Sequence, residues 1–269
     1  LAAGKGVHLS SDMQDAKNTL EDFLSGKYGE ASSSVVVEEL LTGEELSIIS
    51  IFDGETLLSF VPARDYKRLY DGQVGPNTGG MGAYCPVEIT EEQNSDLKNY
   101  LSKLEKAFKT EYADFVGIVY SGLMLTPDGI KVLEYNMRFG DPETQPLMYH
   151  LDCDILEIFI KASQKKLSEM QLKWKSGVTI AVVIASDGYP ENPKKGCEIK
   201  SLAEASKNNA TQIFFAGVKV ENEKMFSNGG RVLAVCANGE NIETVRKKLY
   251  KTIEEIDFSD KIYRNDIGN

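Results

Sequence analysis

Two long β-type runs, Phe115 to Thr126 and Ile130 to Phe139, meet at Asp128-Gly129, a dipeptide that accepts the positive φ angles of a tight hairpin turn. Arms of this length commit the chain to antiparallel sheet. A second hairpin is read upstream, where Leu46 to Phe52 runs through Asp53-Gly54 into Leu57 to Val61, with a further β-rich run at Val35 to Leu41. Helices lie between. Ser11 to Leu24 places Met13, Ala16, Leu20, Phe23 and Leu24 at helical spacing, and Thr90 with Gln93 forms a capping box ahead of the stripe Leu97, Tyr100, Leu101, Leu104, Ala107 and Phe108. After Phe139, Asp141 suits an N-cap and Pro142 the first helical position, with Leu147, Leu151, Ile155, Ile158 and Phe159 as the buried face. A composition break at Lys173 to Gly177 marks a boundary, beyond which VTIAVVIAS, QIFFAGVKV and GGRVLAVCA read as three strands ahead of a helix from Ile242 to Ile256. The fold class is α+β with much antiparallel sheet.

Function is narrowed first by charge. The formal net charge of -11 over 269 residues argues against a nucleic-acid binder, which would carry an excess of Lys and Arg. No apolar run approaches the roughly 18 residues that span a bilayer, so no membrane partner is expected. Cys85, Cys153, Cys197 and Cys236 stand far apart without a CxxC pair, which reads as free thiols in a reducing, cytoplasmic setting.

The stretch KVLEYNMRFGDPE, residues 131 to 143, carries the most chemistry. Strand alternation puts Glu134, Asn136 and Arg138 on one face and Leu133, Tyr135, Met137 and Phe139 on the other. A carboxylate and an amide oxygen two residues apart are hard oxygen ligands of the kind magnesium takes beside nucleotide phosphates, and Arg138 can hold a carboxylate or phosphate with two parallel hydrogen bonds. The same triplet also reads as an edge strand with a solvated polar face. The adjoining GDPE brings a helix start and its unpaired N–H groups to that face.

Three other stretches invite a ligand. In VVVEELLTGEELS, Glu38, Glu39, Glu44 and Glu45 are either a solvated rim or a crevice for a ribose and an adenine edge. LAAGKGV lacks the spacing of a P-loop and reads as a turn, or as a small-residue loop whose Lys5 lies over phosphates. DGQVGPNTGGMGAY, residues 71 to 84, holds five glycines that a strand or helix would not use, and reads as a structured loop whose backbone N–H groups approach an anion.

Taken together, LAAGKGV, VVEELLTGEE, DYKRLYDGQVGPNTGGMGAY, GLML, EYNMRFGDPETQ, GYP, GGRVLAV and YRNDIG, in that order along the chain, resemble the glycinamide ribonucleotide synthetases, the phosphoribosylamine-glycine ligases of purine biosynthesis. The resemblance implies an ATP-grasp fold: residues 1–40 as the remainder of the small lobe, 41–174 as the large lobe with the metal and substrate sites, and 175–269 as a C-terminal α/β domain. The implied reaction transfers the γ-phosphoryl group of ATP to glycine and lets 5-phosphoribosylamine attack the glycyl phosphate. By resemblance, Glu134 and Asn136 hold Mg2+ or Mn2+, and Arg138 stabilises the transferring phosphoryl group. Asp65 and Glu143 receive the glycine ammonium, and Asp65 and Lys67 stand with Arg138 as the catalytic residues. Lys5, Glu38, Glu39, Leu41 and Glu45 serve ATP, while Asn77, Gly79, Gly80, Met81 and Gly82 cradle the phosphoribosylamine end.

The chain departs from the family in having Tyr66 where a histidine is usual, and in starting at Leu1 without the family's N-terminal domain, so it reads as a truncated piece that alone would be a poor catalyst. Fusion to or association with other purine-pathway enzymes is left open. The sequence also admits two rival readings: an incompetent ATP-binding or assembly fragment, and another ATP-grasp carboxylate-amine ligase.

Overall fold

The computed structural model describes residues 6–205, 207, 210–259 and 261–269. Helix α1 (Met13–Leu24) starts where the Asp12 carboxylate accepts hydrogen bonds from the Gln14 and Asp15 amides. The expected strand at Val35 to Leu41 is absent. The segment has no regular secondary structure, with Val36 and Val37 80% and 82% exposed, because no described strand lies alongside to complete a ladder.

The two expected hairpins form one sheet. Strand β1 (Glu44–Phe52) turns at Asp53-Gly54 into β2 (Leu57–Ser59), and the buried Asp53 carboxylate fixes the turn by accepting from Glu55 N and Thr56 N at 2.9 and 2.6 Å. Short strands β3 (Arg64–Asp65), β4 (Arg68–Tyr70), β5 (Val74–Asn77) and β6 (Gly82–Cys85) come after it. Helix α2 (Glu91–Glu111) begins at the Thr90–Gln93 capping box, ahead of β7 (Gly117–Thr126) and β8 (Gly129–Asn136). The order in the first sheet is β2-β1-β7-β8, all antiparallel. One face packs Leu46, Ile48, Leu123 and Leu125 against Leu97 of α2, and the other packs Ile49, Ile51 and Tyr120 toward Leu147 and Ile158.

The glycine-rich run is not a loop throughout. β5 pairs with β4, and β6 is an interior strand between β3 and β9 (Val178–Ser186). Gly82 is there for close approach, since a Cβ would stand 2.6 Å from the Ala181 carbonyl oxygen and 2.9 Å from Ile267. Strand β8 stops at Asn136, so Arg138 and Phe139 lie beyond it. A register shift between Gly122 and Leu123 interrupts the strict alternation, and Tyr135 and Met137, read as opposite Glu134, are 44% and 51% exposed. Helix α3 (Thr144–His150) begins three residues after Asp141, and α4 (Ile155–Ser163) is separate from it. The break arises from Leu151 bridging to Trp174, after which Asp154 caps a new helix.

The second half supplies β10 (Glu198–Ile199), α5 (Leu202–Ala205), β11 (Thr211–Phe215), β12 (Val218–Glu221), β13 (Lys224–Ser227), β14 (Arg231–Gly239), α6 (Ile242–Glu255) and β15 (Lys261–Ile262). QIFFAGVKV is therefore two strands: β11 joins a six-stranded sheet ordered β11-β14-β9-β6-β3, with β15 also on β9, and β12 joins β10 and β13. Because β3 and β6 enter that sheet, the turns flanking Asp65 and Gly79 are anchored on the framework of the C-terminal half.

Candidate functional site

Face assignment in the first sheet brings the polar residues together. Ser47 pairs with Gly122 and Gly122 with Glu134, while Ile49 pairs with Tyr120 and Tyr120 with Asn136, so Ser47, Glu134, Tyr120 and Asn136 share one face. Gly122 leaves room for this, as a Cβ there would sit 3.2 Å from the Glu134 side chain. Neither the Glu134 carboxylate nor the Asn136 amide has a side-chain hydrogen bond to any described residue. They are two unengaged oxygen donors on a rigid strand.

Next to them lies a buried acid cluster. Glu143 is 3% exposed, and its Oε1 accepts hydrogen bonds from Tyr120 OH at 2.9 Å and Ser47 Oγ at 3.0 Å, with Ser47 Oγ and Tyr120 OH 2.9 Å apart. Gly140 permits this approach, because a Cβ would stand 2.6 Å from Glu143 Oε2. The Asp65 side chain is 6% exposed and accepts from Lys67 Nζ at 3.0 Å. Lys67 also pairs with Glu45, which the mutual bonds of Ser47 and Ala63 bring opposite Asp65.

Burial raises the pKa of Asp65, opposed by the positive charge of Lys67. Burial also raises that of Glu143, and repulsion from Asp65 adds to it against the hydrogen bonds of Tyr120 and Ser47. Burial disfavours the charged form of Lys67, yet Asp65 and Glu45 outweigh that and leave it raised. Three carboxylates and one ammonium make a site with an unmatched demand for positive charge.

The glycine-rich run is held from the C-terminal half. Gly79 N donates to Tyr189 OH at 2.8 Å, and Arg231 Nη1 donates to Gly79 O and to Asp141 O, each at 2.7 Å. Gly80 N donates to Thr78 Oγ1, and Met81 N to Tyr66 O. These amides satisfy bonds within the chain, and Gly79 remains exposed at the surface. Gly80 has φ +111 and meets Pro142 so closely that a Cβ would stand 2.3 Å from its Cδ, which docks the run against the GDPE turn.

Not every candidate joins this cluster. Glu38 and Glu39 lie on the exposed segment before β1, and Leu41 is half-buried at its end. Asn77 is half-buried at the end of β5, opposite Arg68, and Gly82 is enclosed in the sheet. Arg138 is exposed and donates to the carbonyl of Phe139 at 2.8 Å. Lys5 lies outside the described residues. Sequence reasoning missed Ser47, Tyr120, Tyr189 and Arg231. Ser47 left a trace, being a lone hydroxyl in the apolar run LSII, but its partner is 96 residues away.

Among the described residues, no group of three or more His, Cys, Asp or Glu is placed to hold a metal ion. Glu134 and Asn136 nonetheless fit a magnesium ion that shares its shell with phosphate oxygens and water, the usual way Mg2+ is bound.

The family model described as phosphoribosylglycinamide synthetase, ATP-grasp (A) domain, matches residues 1–144, and that of the C domain matches residues 179–269. The chain is 42% identical over 272 residues to a phosphoribosylamine-glycine ligase of Haemophilus influenzae, with all of this chain and 63% of that protein covered. It is 43% identical over 272 residues to the trifunctional purine biosynthetic protein adenosine-3 of Gallus gallus, where the match covers all of this chain and 27% of the relative. Among solved structures, a phosphoribosylamine-glycine ligase of Thermotoga maritima superposes with a TM-score of 0.83 at 35% identity, covering 100% of this chain and 67% of the other. The biotin carboxylase domain of the Hydrogenobacter thermophilus 2-oxoglutarate carboxylase, solved with MgADP, superposes with a TM-score of 0.72 at 13% identity over 97% of this chain and 56% of that one, a likeness of fold alone. The chain thus spans 63% of the length of the ligase from Haemophilus influenzae.

Proposed function

From the premise that the chain belongs to the phosphoribosylglycinamide synthetase family, we propose that it forms the ATP, metal and glycine sites of a ligase joining glycine to 5-phosphoribosylamine. The observation that carries this reading is the buried acid cluster of Asp65 and Glu143 beside the unengaged Glu134 and Asn136. A buried pair of carboxylates with raised pKa is stabilised by an incoming ammonium group, and glycine carries one two bonds from the carboxylate that must be activated.

In this reading Asp65 and Glu143 bind the glycine ammonium and thereby orient its carboxylate. Tyr120 and Ser47 favour the ionised form of Glu143 by donating to Oε1, against the burial that raises its pKa. Lys67 balances Asp65 and Glu45 and keeps both side chains from repelling one another. A divalent metal held by Glu134 and Asn136 would neutralise charge on the nucleotide phosphates. Arg138, freed from its carbonyl contact, stabilises the oxygen charge of the transferring phosphoryl group. Catalysis is then positioning and charge neutralisation, because the acyl phosphate needs no protein nucleophile.

The remaining assignments are part of the same proposal. Lys5, Glu38, Glu39, Leu41 and Glu45 serve the nucleotide, and the run from Asn77 to Gly82 borders the phosphoribosylamine. The chain divides into 1–40, 41–174 and 175–269, works in the cytoplasm, and can stand within a longer polypeptide, as its likeness to part of the Gallus gallus protein supports. The test is ADP release by the full-length protein with ATP and Mg2+, measured with glycine alone, phosphoribosylamine alone and both. Release that requires both supports the reading. Release driven by another carboxylic acid, or none at all, refutes it.

A further inference from the structure

Arg264 has no exposed surface, and every hydrogen bond of its guanidinium goes to the turn that opens the glycine-rich run or to the acid that grips it. Its Nε and Nη2 donate to the two carboxylate oxygens of Asp266 at 2.7 and 2.6 Å. Its Nη1 donates to Arg68 O and to Gln73 Oε1, both at 3.0 Å. The neighbouring residues grip the same turn, since Asp266 Oδ2 accepts from Gly72 N at 2.8 Å and the Asp71 carboxylate accepts from Asn265 N at 2.7 Å and Asn265 Nδ2 at 3.2 Å. Three consecutive residues of the C-terminal segment thus hold a turn almost two hundred residues earlier.

The turn needs holding. Gly72 and Gln73 have φ of +70 and +60, and for Gln73 this left-handed conformation costs about 1 kcal/mol unless a contact compensates. The Gln73 side chain is the one that receives Arg264. A buried ion pair is no more stabilising than apolar packing of the same volume, so what it adds here is a defined geometry.

That geometry reaches the site along two routes. The Arg264 guanidinium stacks 4.9 Å from the ring centre of Tyr66, the residue between Asp65 and Lys67, and Tyr66 OH is itself fixed by Gly268 N and Asn269 O at 3.0 Å each. The turn also closes the β4–β5 ribbon, whose far end ties Lys67 O to Thr78 N and Thr78 Oγ1 at 2.8 Å. Tyr66 therefore does more than replace an imidazole, because its ring and hydroxyl are the surface on which the C-terminal segment rests.

We propose that Arg264 is a positioning residue of the substrate site, which through Tyr66 and the turn from Arg68 to Gln73 sets where Asp65 and Lys67 stand. This rests on reading Asp65 and Lys67 as substrate-site groups. In the full-length protein, R264K keeps the charge but loses the planar fork. The expected result is a glycine KM raised about tenfold, the loss of one charge-assisted hydrogen bond, with kcat and the ATP KM changed less than about threefold. Amide hydrogen exchange over residues 66–78 should quicken while β9 and β14 stay protected. D266N should behave alike, and the double variant should be no worse than either single one, because both break the same pair. D71N, at an exposed position, should shift the glycine KM in the same direction by less.

An unchanged glycine KM in R264K and D71N, or a fall in kcat and in protection throughout the molecule at constant KM, would overturn the proposal. If the wild-type protein releases no ADP in response to glycine, it is the functional reading that fails. The exchange data then decide by themselves whether Arg264 holds residues 66–78.

Discussion

Tyr120→Phe removes one oxygen atom from the acid cluster and leaves the packing of the ring intact. The hydroxyl donates to Glu143 Oε1 at 2.9 Å, and Ser47 remains as the other side-chain donor to that oxygen. A hydrogen bond to an ionised group contributes about 1.5 to 3 kcal/mol. Taking the lower end, because Ser47 can tighten its own bond, the loss of about 1.5 kcal/mol corresponds to roughly tenfold in any equilibrium that needs Glu143 ionised, and it moves the Glu143 pKa further up. That pKa already lies above the ordinary carboxylate value through burial and repulsion from Asp65.

Glycine's ammonium binds the ionised carboxylate, so affinity is present above the Glu143 pKa and lost as pH falls through it. The variant should lose glycine affinity at a higher pH than the wild type, with affinity at alkaline pH lowered far less. The assay is the glycine KM for ADP release by the full-length protein, taken in small pH steps from acidic to alkaline, with thermal melting at each pH to confirm the fold. An acidic limb that stays in place, or moves to lower pH, would show that Tyr120 does not hold the charge on Glu143.

Single sites elsewhere carry their own expected outcomes. Glu134→Ala should abolish metal-dependent ADP release yet leave stability within about 0.5 kcal/mol, since the side chain is exposed and has no described partner; turnover with normal metal dependence refutes its role. Gly80→Ala should lower stability by about 2 to 4 kcal/mol in urea melts, because φ is +111 and the new Cβ meets Pro142, and a neutral result would mean that the GDPE turn gives way easily. His150 bonds Thr179 Oγ1 through Nδ1 at 2.9 Å and stacks on Trp174, and burial, aided by the charge of Lys175, holds its pKa below the ordinary 6.5. The unfolded chain therefore takes the proton first, so stability from this group is complete above pH 6.5 and declines as pH falls below it. The urea midpoint should drop as pH falls below 6.5, and His150→Gln should flatten that dependence.

Much of the secondary structure was legible because its causes are local. The hairpins at Asp53-Gly54 and Asp128-Gly129, the Thr90–Gln93 capping box and the helix from Ile242 each depend on residues within a few positions of one another. The errors share the opposite cause. Val35 to Leu41 has strand composition but no neighbouring described strand, and the glycines near Gly82 became strand because β9 and Ile267 needed that space. Asp141 has the chemistry of a cap, yet the GDPE turn closes first around Gly80 and Arg231.

The site divides along the same line. By itself the sequence determined the chemistry available: a strand with Glu134 and Asn136 two residues apart, acids at Asp65 and Glu143, and motifs ordered as in the synthetases. Spacing of two on a strand survives any tertiary arrangement that keeps the strand, which is why that pair was visible. Only the tertiary structure decided which groups meet. Ser47, Tyr120 and Glu143 converge from β1, β7 and the turn before α3, and Arg264 reaches back to Arg68 and Gln73. Buried polar groups must find partners wherever the packed chain brings them, and nothing local to any one residue records who that partner will be.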